Sequence, residues 1–138
     1  MKAEVELFKA LSDDTRIRIM KLLAGVKKPA CVCEIVDSLQ LPQYVISRHL
    51  NILRRAGLVE DSRDGTWVSY SIPHQPMPLL RQLIKAIEEC LEGAVFEEDH
   101  HRLKLRLSLR ENGRCVVGYD NPKFSKLTKK LRRNSELT

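Results

Sequence analysis

Two thiols separated by one residue, Cys31 and Cys33, stand at the front of a stretch of patterned chain that runs to Ile72. Thiolates are soft ligands and select soft ions, so a pair this close is the first candidate for chemistry. Residues i and i+2 of an α-helix point about 200° apart. If both cysteines belong to one regular helix, their sulfurs cannot meet a single ion, and ligation is expected to distort or unwind the first turn near Cys31. A trigonal set needs a third sulfur, and the chain offers Cys90 and Cys115. Cys90 follows Ile87 by three residues on an apolar helical face, where burial as a small hydrophobe is the expected state. Cys115 follows Asn112-Gly113-Arg114, a loop signal, and the charge of Arg114 favours its thiolate. Cys115 is therefore preferred as the partner of Cys31 and Cys33, with Cys90 left open. A closed zinc site wants four ligands and fits less well.

The elements that must position these thiols follow from periodicity and punctuation. Glu4 to Leu11 reads as a short amphipathic helix. Ser12 or Asp13 caps a second, in which Ile17, Ile19, Met20, Leu22 and Leu23 fill a buried face and Gly25 ends the run. A third helix is expected from about Cys31 to Leu39, burying Val32, Ile35, Val36 and Leu39. Gln40-Leu41-Pro42 leaves room only for a tight turn before a fourth helix, from Gln43 to about Ala56. Leu58 to Asp61 and Thr66 to Ile72 alternate as strands around a tip at Ser62-Arg63-Asp64-Gly65, where Asp-Gly signals a hairpin. Beyond Pro73, Pro76 and Pro78, a fifth helix spans about Leu79 to Leu91 with a wide apolar face. Phe96 to about Arg110 is read as helix despite the alternation of Leu103, Leu105, Leu107 and Leu109, because Lys104 and Arg106 favour helix and no turn residue interrupts. Phe124, Leu127 and Leu131 imply a basic helix near the end.

At 138 residues the chain can bury a modest core. No stretch approaches the roughly 20 apolar residues of a membrane span, and the charged start, with Lys2, Glu4 and Glu6, does not read as a signal peptide. A cytoplasmic location is expected, where cysteines stay reduced and serve as ligands or redox groups. The net charge is +6, but Asn121 to Thr138 holds six Lys/Arg against one acid and so supplies +5 of it. Bulk basicity is thus a property of the tail, and any affinity for nucleic acid has to be argued from a motif.

That motif is present. Two short helices joined by a three-residue turn and followed by a hairpin form a winged helix-turn-helix, whose second helix enters the major groove by its N-terminal residues. The fold class expected is mainly α, with a two-stranded β-hairpin wing and a C-terminal extension. Gln43, Tyr44, Ser47 and Arg48 face outward on the first turns of the reading helix. Gln pairs with adenine, Arg with guanine, and Ser or Tyr with phosphate or base. Arg54 is placed for phosphates, and Arg63, at the expected hairpin tip, for the backbone or minor groove. His49 reads as a hydrogen-bonded, partly buried group. Catalysis by Cys31 or Cys33 would require a base and a pocket. Only His49 lies near in sequence, and no phosphate loop or nucleotide fingerprint occurs, so the chain is not expected to be an enzyme.

Three blocks of sequence carry a resemblance: Ala10 to Ile19 (ALSDDTRIRI), Ile46-Ser47-Arg48-His49-Leu50 with Leu53 and Gly57-Leu58-Val59, and Gly65-Thr66-Trp67-Val68 with Tyr70. Together they resemble the ArsR/SmtB metalloregulatory repressors over about Val5 to Leu91, and Cys-Val-Cys on the third helix is similar to the site of arsenic- and cadmium/lead-responsive members. The resemblance implies a homodimer joined by the first and fifth helices, bound to double-stranded operator DNA and released by an inducer. It divides the chain into a DNA-binding and dimerisation domain, 1–93, and an extension with a basic tail, 94–138. No resident cofactor is implied. The inducer expected is As(III) or Sb(III), held by Cys31, Cys33 and Cys115 of one subunit or of two, because these ions take three thiolates in a pyramid. Two departures stand out: Pro42 replaces the usual hydroxyl cap before the reading helix, and Val36 occupies the position where the best-known arsenic sensors carry a further cysteine. The fifth helix lacks the spaced Asp/His pairs of the family's other metal site, and His100-His101 reads as a solvated face. A thiol-redox or persulfide sensor, or a Cd/Pb-responsive repressor on the same fold, remains the alternative.

Overall fold

The computed structural model describes residues 1–136, so Leu137 and Thr138, the end of the expected extension, lie outside the described residues. In chain order the elements are α1 (Lys2–Leu11), α2 (Asp14–Val26), β1 (Ala30–Cys31), α3 (Val32–Leu39), α4 (Gln43–Arg55), β2 (Glu60–Asp64), β3 (Trp67–Ser71), α5 (Pro78–Cys90), α6 (Ala94–Leu107) and α7 (Pro122–Glu136). This is the expected mainly helical winged architecture.

Local chemistry explains the boundaries. The Asp13 carboxylate accepts the Arg16 N–H at 3.1 Å and caps α2, while Asp14 sits in the first turn against the positive end of the helix dipole. Gly25 does not end α2 as expected. The helix continues to Val26, and Lys27 takes the left-handed conformation with φ 56°. Gly25 lies inside the helix beside α6, where an added Cβ would make ordinary contact, 3.4 Å, with Cε1 of His100. Pro42 begins α4 with no side-chain cap, its fixed φ standing in for the missing acceptor.

The third helix also begins later than expected. Ala30 and Cys31 are strand, pairing antiparallel with Tyr70 and Ser69, so the hairpin becomes a three-stranded sheet of order β1-β3-β2. Cys31 is extended (φ −67°, ψ 152°) and caps α3 from outside, with its N–H donated to the Glu34 carboxylate at 2.8 Å. The hairpin turns at Gly65-Thr66, one step beyond the expected tip, because Asp64 already pairs with Trp67 and Gly65 supplies the positive φ of 63° that a two-residue loop demands. Arg63 is therefore not at the tip but in the ladder opposite Val68.

The core gathers Leu7, Ile19, Met20, Leu23, Ile35, Leu39, Ile46, Leu50 and Leu53 from the first four helices, with Leu80 and Ile87 of α5 and Leu103 of α6. Lys21 on α2 donates to the carbonyls of Ile87 and Glu88 at 3.2 and 2.7 Å, satisfying orphan acceptors at the end of α5. Cys90, expected to be buried, is exposed at that same end.

The extension is fastened by charge. Arg102, Arg106 and Arg110 lie four residues apart, two on α6 and the third just past its end, so all three project toward α3. Arg102 Nε donates to the Ser38 carbonyl at 2.6 Å and Nη2 to Asp99 at 3.0 Å. Arg106, 1% exposed, binds Asp37 at 2.7 Å and the carbonyls of Val117 and Gly118. Arg110 grips both oxygens of the fully buried Glu34, at 2.8 and 2.6 Å, and the Pro29 carbonyl at 2.8 Å. Buried Asp99 in turn receives two bonds from Arg18 of α2, at 2.8 and 2.7 Å. Removing one partner of a buried pair costs about 3–5 kcal/mol, because the other charge is stranded. Arg106→Ala is expected to lose stability in that range, and Asp37→Asn less because Asp37 is partly exposed. Urea midpoints at an unchanged denaturant slope are the measurement.

Candidate functional site

Three of the four cysteines meet. Sγ of Cys33 and Sγ of Cys115 are 3.6 Å apart, and the sulfurs of Cys31 and Cys115 and a Glu34 carboxylate oxygen all lie within 4.8 Å of one another. All three thiols are buried, with Trp67 of β3 packed against them. Cys115 is placed by a short loop in which Glu111 and Arg114 exchange backbone hydrogen bonds around Asn112-Gly113. The carbonyl of Val117 accepts from both Cys33 and Cys115, at 3.6 and 3.5 Å, and also from Arg106. A cavity of about 170 Å³ reaches Cys31 and Cys115 from the side of Trp67, Arg110 and Arg114.

This geometry corrects the helical argument. The two sulfurs of Cys31 and Cys33 do not diverge by 200°, because Cys31 precedes the helix in extended conformation. Both reach Cys115 with α3 intact, Cys33 at 3.6 Å and Cys31 within 4.8 Å. Cys115 joins them; Cys90 does not.

The trio shares its protons unequally. A hydrogen bond from Cys31 is the chief influence holding the Cys33 thiol down, from 9.0 to about 7, against the opposing effect of burial; Cys115 and the charge of Arg106 assist. Cys31 is pushed strongly up by the same hydrogen bond, by burial and by Glu34. Burial and Glu34 push Cys115 up to about 11, and burial first, then the thiolate charge, pushes Tyr119 to about 12. Of the three, Cys33 is the first to ionise: below about pH 7 it is a thiol that can donate to Val117, and above it a thiolate that accepts from Cys31 and Cys115.

The outward-facing residues of α4 are where the sequence puts them: Gln43, Tyr44, Ser47 and Arg48 are all exposed, Tyr44 at 73%. Gln43, Ser47, Arg54 and Arg63 line one cleft between α4 and the hairpin, and Cys31, Cys33 and Tyr119 lie in that same cleft. Tyr44 and Arg48 stand outside it. Arg54 bonds Asn51 at 2.6 Å. His49 is buried and faces Arg16 at 3.1 Å, and burial lowers its pKa. The thiols and the exposed side chains of α4 therefore share a wall, which the sequence does not announce. The sequence reading also passes over Glu34, Arg106 and Arg110, although Arg102/Arg106/Arg110 at four-residue spacing against Glu34/Asp37/Ser38 is a readable signal.

A helix-turn-helix with a hairpin wing and a thiol cluster beneath it defines a class of DNA-binding regulators, and comparison with known proteins agrees. The family model described as "Bacterial regulatory protein, arsR family" matches residues 13–61. An uncharacterized HTH-type transcriptional regulator of Methanocaldococcus jannaschii is 45% identical over 84 residues, covering 61% of this chain and 90% of that protein. The arsenic resistance transcriptional regulator ArsR1 of Pseudomonas putida is 43% identical over 90 residues, 62% of this chain and 69% of its own. Reduced HlyU from Vibrio cholerae superposes with a TM-score of 0.55 at 27% identity, over 65% of this chain and 92% of that one. The chain belongs to the ArsR/SmtB family of transcriptional repressors, DNA-binding proteins that are not enzymes. Among the described residues no helix is long and apolar enough to cross a membrane.

The proton inventory can be measured. With Cys90 replaced by Ser so that only the cluster is read, thiolate absorbance is expected to rise in one step near pH 7 and in another near 11, with the first step abolished by Cys33→Ser. Stability follows with definite signs. The depressed Cys33 contributes stability that is present above 9.0 and lost as pH falls through about 7. The raised Cys115 contributes stability that is present below 9.0 and lost as pH rises through about 11. Stability from the cluster therefore peaks near pH 9, as denaturation across that range will test.

Proposed function

We propose that this protein is a metalloid-responsive repressor that binds operator DNA as a homodimer and is released when As(III) or Sb(III) is held by Cys31, Cys33 and Cys115. The observation that carries the reading is the convergence of those three buried sulfurs, which supply the three soft donors that a pyramidal trivalent ion takes. In the DNA complex, Gln43, Tyr44, Ser47 and Arg48 read the major groove, while Arg54 and Arg63 hold phosphates. The apolar residues left open on α1, Val5 and Phe8, with half-buried Leu83 and Ile84 of α5, are the dimer faces in this reading.

Release follows from what the sulfurs are attached to. Cys31 is in the strand that pairs with β3, Cys33 is in α3, and Cys115 is in the loop that delivers Tyr119 to the α4–hairpin cleft. Bonding all three to one ion draws the wing, the brace and that loop toward a common centre. The cleft presented to DNA then changes shape without unwinding α3. Arsenite is expected to weaken operator binding about 5–150-fold, the span of a coupling of about 1–3 kcal/mol. Cys31→Ser, Cys33→Ser and Cys115→Ser should each abolish the response, and Cys90→Ser should keep it. Normal release by the Cys33→Ser protein would refute the assignment.

A proton count distinguishes the candidate inducers. Arsenous acid condensing with one thiolate and two thiols releases three waters and takes up one proton. A divalent Cd or Pb ion bound by the same set displaces two protons. Between pH about 7 and 9, affinity therefore falls with rising pH for arsenite and rises for the divalent ions. Titrations at several pH values decide the sign. The 3.6 Å approach of Cys33 to Cys115, with one of the pair ionised near pH 7, also supports a thiol-redox reading. Loss of DNA binding after peroxide, with two fewer thiols counted, would favour it.

A further inference from the structure

We propose that α7 is a second DNA-contacting element: a basic helix that lies along the phosphate backbone beside the duplex face taken by α4. The inference rests on the DNA-binding reading and extends it to a segment beyond residues 13–61, where the family model matches.

The charges are arranged on one side of the helix. At 100° per residue, Phe124, Leu127 and Leu131 share one face of α7. Phe124 is buried, at 6% exposure. Lys126, Lys129, Lys130 and Arg133 fall within about 100° of one another on the opposite face, and every one of them is exposed. None of these four takes part in an ion pair among the described residues. The contrast with the preceding segment is sharp, since Arg102 and Arg106 of α6 and Arg110 just beyond it are each held by an internal partner. A concentrated positive face with no internal partner complements a polyanion.

The helix is also held in a definite place. Asn121 accepts the Lys123 N–H at 3.0 Å and so caps its start. Asp120 turns the chain with a positive φ of 55°, and Thr128 and Leu131 face Glu98 and Leu105 of α6 across a shared groove. Its position relative to DNA follows from the residues just before it. Tyr119 lies in the cleft with Gln43, Ser47 and Arg63, and α7 begins three residues later. The helix therefore leaves the DNA-facing cleft carrying its lysines. A lipid surface is disfavoured as the occupant, because interfacial helices bury their apolar face in the bilayer, and here Phe124 is already spent within the protein.

The test uses the full chain with Lys126→Gln/Lys129→Gln/Lys130→Gln/Arg133→Gln, compared with wild type and with a control that neutralises Lys2, Lys9, Lys27 and Lys28 elsewhere. Affinity for a mixed-sequence duplex of about 30 base pairs, roughly three helical turns, is measured across a salt series. Each phosphate that the variant no longer neutralises is expected to flatten the slope of log K against log salt by about 0.9, with affinity falling by a similar factor on operator and mixed-sequence duplexes. Melting and arsenite-binding thiols should stay unchanged. If the fourfold variant melts early, Lys126→Gln/Lys130→Gln gives the same readout with fewer changes. An unaltered slope overturns the proposal, as does an equal flattening in the control, which would reduce the effect to net charge. Binding to phosphatidylserine vesicles that the variant loses, with duplex affinity intact, would assign the helix to lipid and overturn it too. Arsenite-triggered release from the operator, scored separately, shows whether the metalloid reading stands on its own.

Discussion

Arg106 reaches from α6 across the end of α3 and binds Asp37 together with the carbonyls of Val117 and Gly118. With Arg102 and Arg110 on either side, it sets the angle and register at which α6 lies on the brace of the DNA-reading unit. Buried ion pairs add little net stability over apolar packing, because desolvation offsets their attraction. What they impose is a single arrangement: any slip along α3 strands a charge. Glu34 shows the point well. Fully buried, it is tolerable only where Arg110 and the Cys31 N–H both reach it.

The thiol cluster depends on that register. Cys115 is 82 residues from Cys33 in the chain, and nothing local would bring them together. The loop that carries Cys115 is pinned through the Val117 carbonyl, which Arg106 and two thiols share. The same charges tune the sulfurs: Glu34 opposes ionisation of all three cysteines, while Arg106 favours it at Cys33. A buried cluster cannot carry three negative charges, so protons distribute to leave one thiolate solvated by its neighbours. Structure and reactivity thus come from one set of side chains.

Much of this architecture is legible in the residues. Helical periodicity, the Asp13 cap, the short Gln40-Leu41-Pro42 turn and the Asp-Gly hairpin signal each report local physics, and each leads to an element that exists. Loop context alone prefers Cys115 over Cys90, and Cys115 is the thiol that joins Cys31 and Cys33. The departures also have local causes. Ala30-Cys31 is too short to show alternation, so a strand defined only by its pairing with β3 reads as the start of a helix. The hairpin tip falls one step later than expected because Asp-Gly fixes the presence of a turn more firmly than its register. Cys90 lies beyond the point where the buried face of α5 ends, at Ile87, so an apolar periodicity carried one turn further predicts burial that does not occur.

Sequence alone determined the identity and order of the elements, the outward set on α4 and the presence of a soft-ligand pair, because these depend on neighbours within a few residues. Tertiary structure decided whether the pair could act together. An extended backbone at Cys31, held in the sheet by Ser69 of a strand remote in the chain, turned two diverging sulfurs into converging ones. It also decided that the thiols and the outward residues of α4 share a cleft, since that adjacency is made by packing α6 and its loop onto α3 and has no counterpart in the order of residues along the chain.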